Sequence, residues 1–433
     1  MTSTSVPSST SAEQALAAAH RDEWGRLLAL LVARTRRLDL VEDALAEAFA
    51  RAAVRWPRDG VPANPAAWLH VTAHRQVLGR LRTEAVAGRT APLLAVRPGW
   101  APPVDVRGEL PDERLDLVLL CCHPALREED RSALALRLVI GTSTDEIARL
   151  FLVPTPTMAA RITRAKRKIV AAGIGLGAPL HDELPARLDA VCRTVYLAFT
   201  AGYSPGTGPD LLRADLAGEA VHLARILHRV APAAPQAAAL LALLTLQHAR
   251  RDARAVDGEL VPLAEQDRSR WRRDEVDEGL ALVDRLEPGG GYAGALRLEA
   301  LIAAEHARAQ TAGRTDWAAI VERYDELAAA TASPIVRLNR AVAVAEARGP
   351  EAGLAALAEL GGSLREHHRF AATCGELARR AGDRPLARAS FEAALEGCDN
   401  EAERRHLRAR LALVDATAET GGTGDAGGPG RAT

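Results

Sequence analysis

Aromatic residues make up only 3% of this 433-residue chain. That scarcity argues against a β-rich barrel and against a stacking platform for single-stranded RNA. Lysine is nearly missing: Lys166 and Lys168 are the two present, and both fall in one short stretch. With a net charge of −1 there is no uniformly basic coat, so any nucleic-acid site has to be local. The longest apolar run, Ala237–Leu246, falls far short of the roughly 18–20 residues that span a bilayer. The opening MTSTSVPSSTSAEQ lacks the charged and apolar regions of a signal peptide. Five cysteines without Cys-x-x-Cys spacing make neither a disulfide framework nor a zinc site. Cys121 and Cys122 sit side by side in an apolar helical stretch and are expected to be buried and reduced. Neither HExxH nor a P-loop pattern occurs. A cytoplasmic protein without membrane attachment, metal, cofactor or catalytic residues is the expectation.

What the chain does have is helical periodicity throughout, with no run of alternating β-branched residues, so the expected fold class is all-α. Residues 1–12 and 417–433 are Ser/Thr- or Gly-rich and read as disordered tails. A Pro/Gly/Arg stretch, Arg89–Pro111, lies in a linker (87–111) that divides a first helical block (13–86) from a second (112–172). A further break, Ala171–Pro185, precedes a long helical remainder (180–416). Residues 1–175 carry 24 Arg and Lys against 19 Asp and Glu, a net of +5, and the remainder carries 31 against 37. A basic front joined to an acidic rear suits a nucleic-acid reader with a separate regulatory domain.

The most informative segment is STDEIARLFLVPTPTMAARITRAKRKIV, residues 143–170. Ser143 with Glu146 three residues on is a capping-box signature for a short helix, Asp145–Phe151. Leu152-Val153-Pro154 turns the chain, and Thr155 can cap a second helix with Pro156 at its first position. Two short helices on a three-residue turn make a helix-turn-helix. At about 100° per residue, Met158, Ile162, Ala165 and Ile169 form one apolar stripe. Thr157, Ala160, Arg161, Arg164, Arg167 and Lys168 lie opposite. Five cations within residues 161–168, with no acid among them, are more than a solvated face requires. Such a face fits a major groove, where cations meet phosphates and side chains reach base edges.

Residues Leu38–Val54 form a helix of opposite character. Val41, Leu45, Ala48, Phe49 and Ala52 share a face, while Asp43, Glu47 and Arg51 point away. An acidic surface repels phosphates, so this one suits a protein partner or plain solvent. A Pro/Gly loop follows, and then Asn64-Pro65 opens a helix bearing Trp68, His74, Arg75, Arg80 and Arg82. Tryptophan beside arginines can stack on unpaired bases, although Trp68 fits a core equally well.

In this order, EDALAEAFARA, then WPRDGVPANPAAWL with its basic helix, then a linker and a helix-turn-helix resemble bacterial sigma factors of the extracytoplasmic-function type. LVLLCCHPAL, EIARLFLVPTPTMAARITRAKRKI, EQDRSRW and SPIVRLNRAVAVAEARGP resemble one subgroup, whose members carry a long extension of tetratricopeptide-like helices. The resemblance covers roughly residues 15–415. It implies that 13–86 is region 2, that 112–172 is region 4, and that core RNA polymerase (β′ clamp and β flap) and promoter DNA are partners. By position, Asp43, Glu47 and Phe49 would meet polymerase. The loop Trp56–Pro65 and the helix beyond it would read the −10 element through Trp56, Trp68, His74, Arg75, Arg80 and Arg82. Thr157, Arg161, Arg164, Arg167 and Lys168 would sit on the −35 duplex. One departure concerns −10 reading: the family's usual Asn, and Asp four residues later, correspond to Arg75 and Gly79, and Thr83 interrupts the basic run.

In the rear half, Leu338–Leu357 and Thr373–Leu395 each pair an Ala-rich helix with a second one across a glycine, Gly349 or Gly382. Their spacing near 33 residues suits tetratricopeptide stacking, with surfaces open to a protein or peptide. Glu265, Asp267, Arg270, Trp271, His306, Asp316 and Trp317 have the composition of a hydrolase pocket but suit structural ion pairs as well. His248 and His306 are better read as packing residues. Two alternatives to a sigma factor stay open: a helix-turn-helix regulator with a helical sensor that never engages polymerase, and an enzyme housed in the rear half.

Overall fold

The computed structural model describes residues 9–86, 113–151, 153–172, 184–203, 214–256, 259–360 and 367–419. The fold is all-α. It divides into two units, Met1–Gly202 with Asp215–Pro232, and Tyr203–Ala214 with Ala233–Thr433. The linker Arg89–Pro111 and most of both expected tails lie outside the described residues. Residues 9–12 and 417–419, expected in the tails, are helical instead, because α1 begins at Ser9 and the last helix runs to Glu419.

In the first unit, α1 (Ser9–Thr35), α2 (Leu38–Asp59) and α3 (Pro65–Val86) pack on one another. The expected stripe of α2 is buried: Val41, Leu45, Ala48 and Ala52 are all fully covered. Asn64 caps α3, its Oδ1 accepting from the Ala67 N–H at 3.0 Å. Arg37 donates to both Asp39 and Glu84, tying the α1–α2 turn to the end of α3.

Next come α4 (Glu113–Cys121), α5 (Glu128–Ala135), α6 (Thr144–Leu150) and α7 (Thr155–Ala171). α5 runs into a π-helical turn, Leu136–Ile140, closed by Gly141 at φ +79°. Helix α1 also packs on α4 and on this turn, so the two front blocks form one body. Gly25 permits the contact, since a Cβ there would lie 1.8 Å from the Val139 carbonyl oxygen. Trp24 lies against Gly141, with the Arg137 guanidinium 5.8 Å from its ring centre.

Helix α8 (Leu184–Tyr203) falls in this first unit rather than with the remainder to which the sequence break assigns it. Arg187 donates to the Leu119 carbonyl at 3.1 Å, and Thr194 Oγ1 lies 3.5 Å from Cys122 Sγ. Such side-chain bonds leave no trace in hydropathy. Cys121 and Cys122 are buried as expected, and burial pushes the Cys122 thiol up to about 11. Helix α9 (Ala214–Val230) follows.

The second unit opens with α10 (Pro235–His248), apolar around most of its circumference and covered by α11 (Arg273–Val283) and α12 (Gly291–Arg308). A two-residue hairpin, Ala255–Val256 with Glu259–Leu260, is the single sheet among the described residues, and the sequence pattern does not foretell it. Then α13 (Trp317–Ala330), α14 (Pro334–Arg348), α15 (Pro350–Ala358), α16 (His368–Ala381), α17 (Arg384–Glu396) and α18 (Glu401–Glu419) pack each on the next. Gly349 and Gly382 turn the chain at φ +99° and +82°, at the positions expected. Small residues bring neighbours close: a Cβ on Gly375 would lie 2.9 Å from the Phe391 ring. No helix among the described residues is long and apolar enough to cross a membrane.

Candidate nucleic-acid interface

The α6–α7 pair is the helix-turn-helix that the sequence predicts. Ser143 and Glu146 form a reciprocal capping box: Glu146 Oε2 accepts from the Ser143 N–H at 2.9 Å, and Ser143 Oγ from the Glu146 N–H at 3.2 Å. Thr155 acts differently from expectation. It is the first residue of α7, and its hydroxyl donates to Asp145 at 2.8 Å, clamping the two helices across the turn. Met158, Ile162, Ala165 and Ile169 are buried, which turns the opposite face outward.

That outward face is less uniformly cationic than the residue count suggests. Thr157, Arg164, Arg167 and Lys168 are exposed, and no ion pair among the described residues engages these three cations. Arg161 is half-buried, its Nε 3.7 Å from Asp130 on α5. Lys166 turns away altogether and binds Glu42 on α2. Glu42 is only 6% exposed, and its other oxygen lies 3.3 Å from Arg137 Nε. A charge this buried holds its place because cations flank both oxygens. Beside α7 lies a cleft of about 340 Å³ lined by Arg127, Glu129, Asp130, Arg161, Arg164 and Lys168. Its cations can take a phosphate on the exposed side, while Asp130 holds Arg161 at the back.

Helix α3 offers a weaker surface. Arg75 and Arg82 are exposed, and His74 is half-buried. Arg80 lies 3.5 Å from both Asp43 and Glu47, so the acidic face of α2 and one cation of α3 neutralise each other. Glu47 also accepts from Arg51 at 2.6 Å. His70 and His74 stack 5.9 Å apart. Burial, then the charge of Arg34, pushes His70 down to about 4 and lowers His74, so neither ring adds positive charge at neutral pH.

Two aromatic assignments are corrected by burial. Trp56 is 1% exposed and lies inside α2 rather than in a loop, its ring 5.9 Å from half-buried Trp68. It is core, out of reach of a base. Phe49, 7% exposed, packs on Trp24 and His20 and is equally unable to touch a partner.

The rear residues that might have formed a pocket are engaged in separate structural roles. Asp316 caps α13 and Asp267 caps a short turn, while Glu265 pairs with Arg410. Trp271 is buried beneath Arg268 and Arg250. His306 packs edge-on to Trp317, and burial pushes it down to about 3. His248 bonds Glu275 at 2.9 Å. Burial opposes the charge on Glu275, but bonds from His248 and Arg251 outweigh it and bring the carboxyl down to about 2. The expectation that the chain holds neither a GxSxG nor a GxGxxG pattern is corrected by GYSPG at 202–206 and GGGYAG at 289–294, which match those spacings. Both follow helices rather than the strand those motifs require, and Ser204 lies outside the described residues.

Residues 116–169, spanning α4 to nearly the end of α7, match the family Sigma-70, region 4. This part of the chain is therefore a helix-turn-helix domain of the sigma-70 region 4 type, a family that implies RNA polymerase and promoter DNA as partners. Residues 187–287 match a family of unknown function, DUF6596. An uncharacterized protein of Rhizobium meliloti (strain 1021) is 38% identical over 417 residues, covering 92% of this chain and 94% of that one. The chain belongs to the family of that protein. No solved structure matches it.

Proposed function

We propose that the chain is a promoter-specificity subunit of the extracytoplasmic-function type, which binds core RNA polymerase and directs initiation at particular promoters. One observation carries the reading. Within the region 4 domain, α7 buries Met158, Ile162, Ala165 and Ile169 and leaves Thr157, Arg164, Arg167 and Lys168 exposed. On this reading these four residues lie along the −35 duplex, and Arg161 joins them by exchanging Asp130 for a phosphate. Residues 13–86 act as region 2, with Trp68, His74, Arg75 and Arg82 toward the −10 element. Asp43 and Glu47 meet the polymerase clamp once Arg80 lets go of them. The rear unit, as a tetratricopeptide-like regulatory domain, offers its surfaces to a protein or peptide. The protein has no chemistry of its own and works in the cytoplasm.

Run-off transcription with core polymerase, the full chain and a genomic promoter library tests the proposal. Discrete transcripts that depend on the protein are expected, together with loss of co-purification with core enzyme in the Asp43→Arg, Glu47→Arg double variant. Duplex binding without any effect on polymerase would overturn the sigma assignment in favour of a free-standing regulator.

A further inference from the structure

In the second unit, three side chains of different chemistry converge where α16, α17 and α18 meet. His368 is the first residue of α16, Cys398 lies in the turn between α17 and α18, and Glu403 is in the first turn of α18. One donor atom from each lies within 4.8 Å of the others. His368 Nε2 is 3.2 Å from Glu403 Oε2, and Cys398 Sγ is 3.8 Å from the same oxygen. Zinc bonds of about 2.0–2.3 Å, arranged tetrahedrally, set ligand atoms roughly 3.3–3.8 Å apart. The two spacings to Glu403, 3.2 and 3.8 Å, lie close to that range, and the 4.8 Å bound on the cluster lets the three groups close on an ion by a shift of about 1 Å or less.

The surroundings hold the three groups in place, and the Cys398 thiol also points at the Asn400 carbonyl, 3.6 Å away. Asn400 Oδ1 accepts from the Ala402 and Glu403 N–H groups at 3.1 and 3.0 Å, capping α18 and fixing the base of Glu403. Arg404 donates to the carbonyls of Leu395 and Cys398 at 2.6 and 2.8 Å, which fixes the turn. Gly397 leaves room for His368, since a Cβ there would lie 3.3 Å from the histidine Cβ. The second oxygen of Glu403 lies 3.5 Å from Arg369, the kind of outer contact that orients a ligating carboxylate. Cys398 is 1% exposed, whereas His368 and Glu403 are partly open, so solvent can reach a fourth position.

We propose that His368, Cys398 and Glu403 form a binding site for a single zinc-like divalent ion. One imidazole nitrogen, one thiolate and one carboxylate suit a borderline metal, and neither magnesium nor calcium takes such a set. Binding converts the Cys398 thiol to thiolate and releases its proton to solvent. The ion ties the start of α16 to the α17–α18 turn and so fastens the end of the helical stack. The absence of Cys-x-x-Cys spacing does not bear on it, because His368 comes from one segment and Cys398 and Glu403 from another. This inference is independent of the sigma reading.

The test uses the untagged full chain, freed of metal with a chelator and titrated with Co(II). At one equivalent, visible bands of tetrahedral intensity and a near-ultraviolet thiolate-to-cobalt band are expected, both abolished by Zn(II). Cys398→Ser should remove the charge-transfer band, and His368→Gln should weaken binding at least tenfold. Added Zn(II) should raise the melting temperature of the wild type and not that of His368→Gln. If Cys398→Ser fails to fold, Glu403→Gln, which keeps a hydrogen bond to His368, takes its place with the same tenfold loss expected. No cobalt band at one equivalent would overturn the proposal, as would a charge-transfer band persisting in Cys398→Ser or a Zn(II) shift unchanged in His368→Gln. The cluster would then be a His368–Glu403 ion pair beside a buried thiol.

Discussion

Helices α3 and α7 are both arginine-bearing helices with one buried face, yet their charges are used differently. On α7 the carboxylates of Asp130 and Glu42 engage Arg161 and Lys166, and Arg164, Arg167 and Lys168 stay exposed. On α3 the acidic face of α2 lies alongside and occupies Arg80, while the two histidines are held neutral. The lesson is that counting cations along a helix overstates its pull on phosphate. What matters is how many are left after the neighbouring helix has paired with its share.

The largest expected effect separates the two helices directly. Replacing Arg164, Arg167 and Lys168 with alanine should flatten the log–log salt dependence of duplex binding by about three. A residue among them that reads a base edge should cost about 1–3 kcal/mol. Arg80→Ala should leave both quantities unchanged, and fluorescence anisotropy across a salt series reads the difference. An equal loss from Arg80→Ala would erase the contrast.

Glu42→Gln comes second. It leaves Lys166 and Arg137 without their counter-charge where α2 meets α7. Breaking a buried pair costs about 3–5 kcal/mol. Because both cations are 26% exposed, about 2–3 kcal/mol is the expectation here. Denaturant melts measure it, and a change below the error of such melts would show that water replaces the carboxylate at no cost.

Acid should act on the first unit in part through His70 of α3. The folded-state value of His70, about 4, lies below its ordinary 6.5, so the unfolded chain binds a proton that the native chain refuses. The stabilising contribution is whole above about 6.5 and is lost as pH falls toward 4. His70→Phe should flatten that part of the stability profile. An unchanged profile would remove His70 from the acid response.

The smallest effect concerns Gly79, exposed in the interior of α3 with open space around its Cα. Gly79→Ala should stabilise the helix by about 0.5–1 kcal/mol, read as a small rise in melting temperature. A loss instead would show that α3 needs flexibility at this point.

Elements whose causes are local are legible in the residues themselves. The capping box at Ser143 and Glu146, the buried stripe of α7, the Asn64 cap and the turns at Gly349 and Gly382 rest on contacts within a few residues, or on helical period. Region 4 was legible for the same reason, since its helix-turn-helix is one contiguous segment. Other features depend on residues that are distant in the chain and meet only on folding. Trp56 and Phe49 sit in the core because α1 and α3 cover them, although tryptophan and phenylalanine fit a wet face equally well by type. Lys166 and Arg80 are drawn off by carboxylates 124 and 33 or more positions away. Likewise His368, Cys398 and Glu403 converge only because three helix ends are brought together. Periodicity reports which face of a helix is buried. It carries no information about which charge on another helix lies opposite.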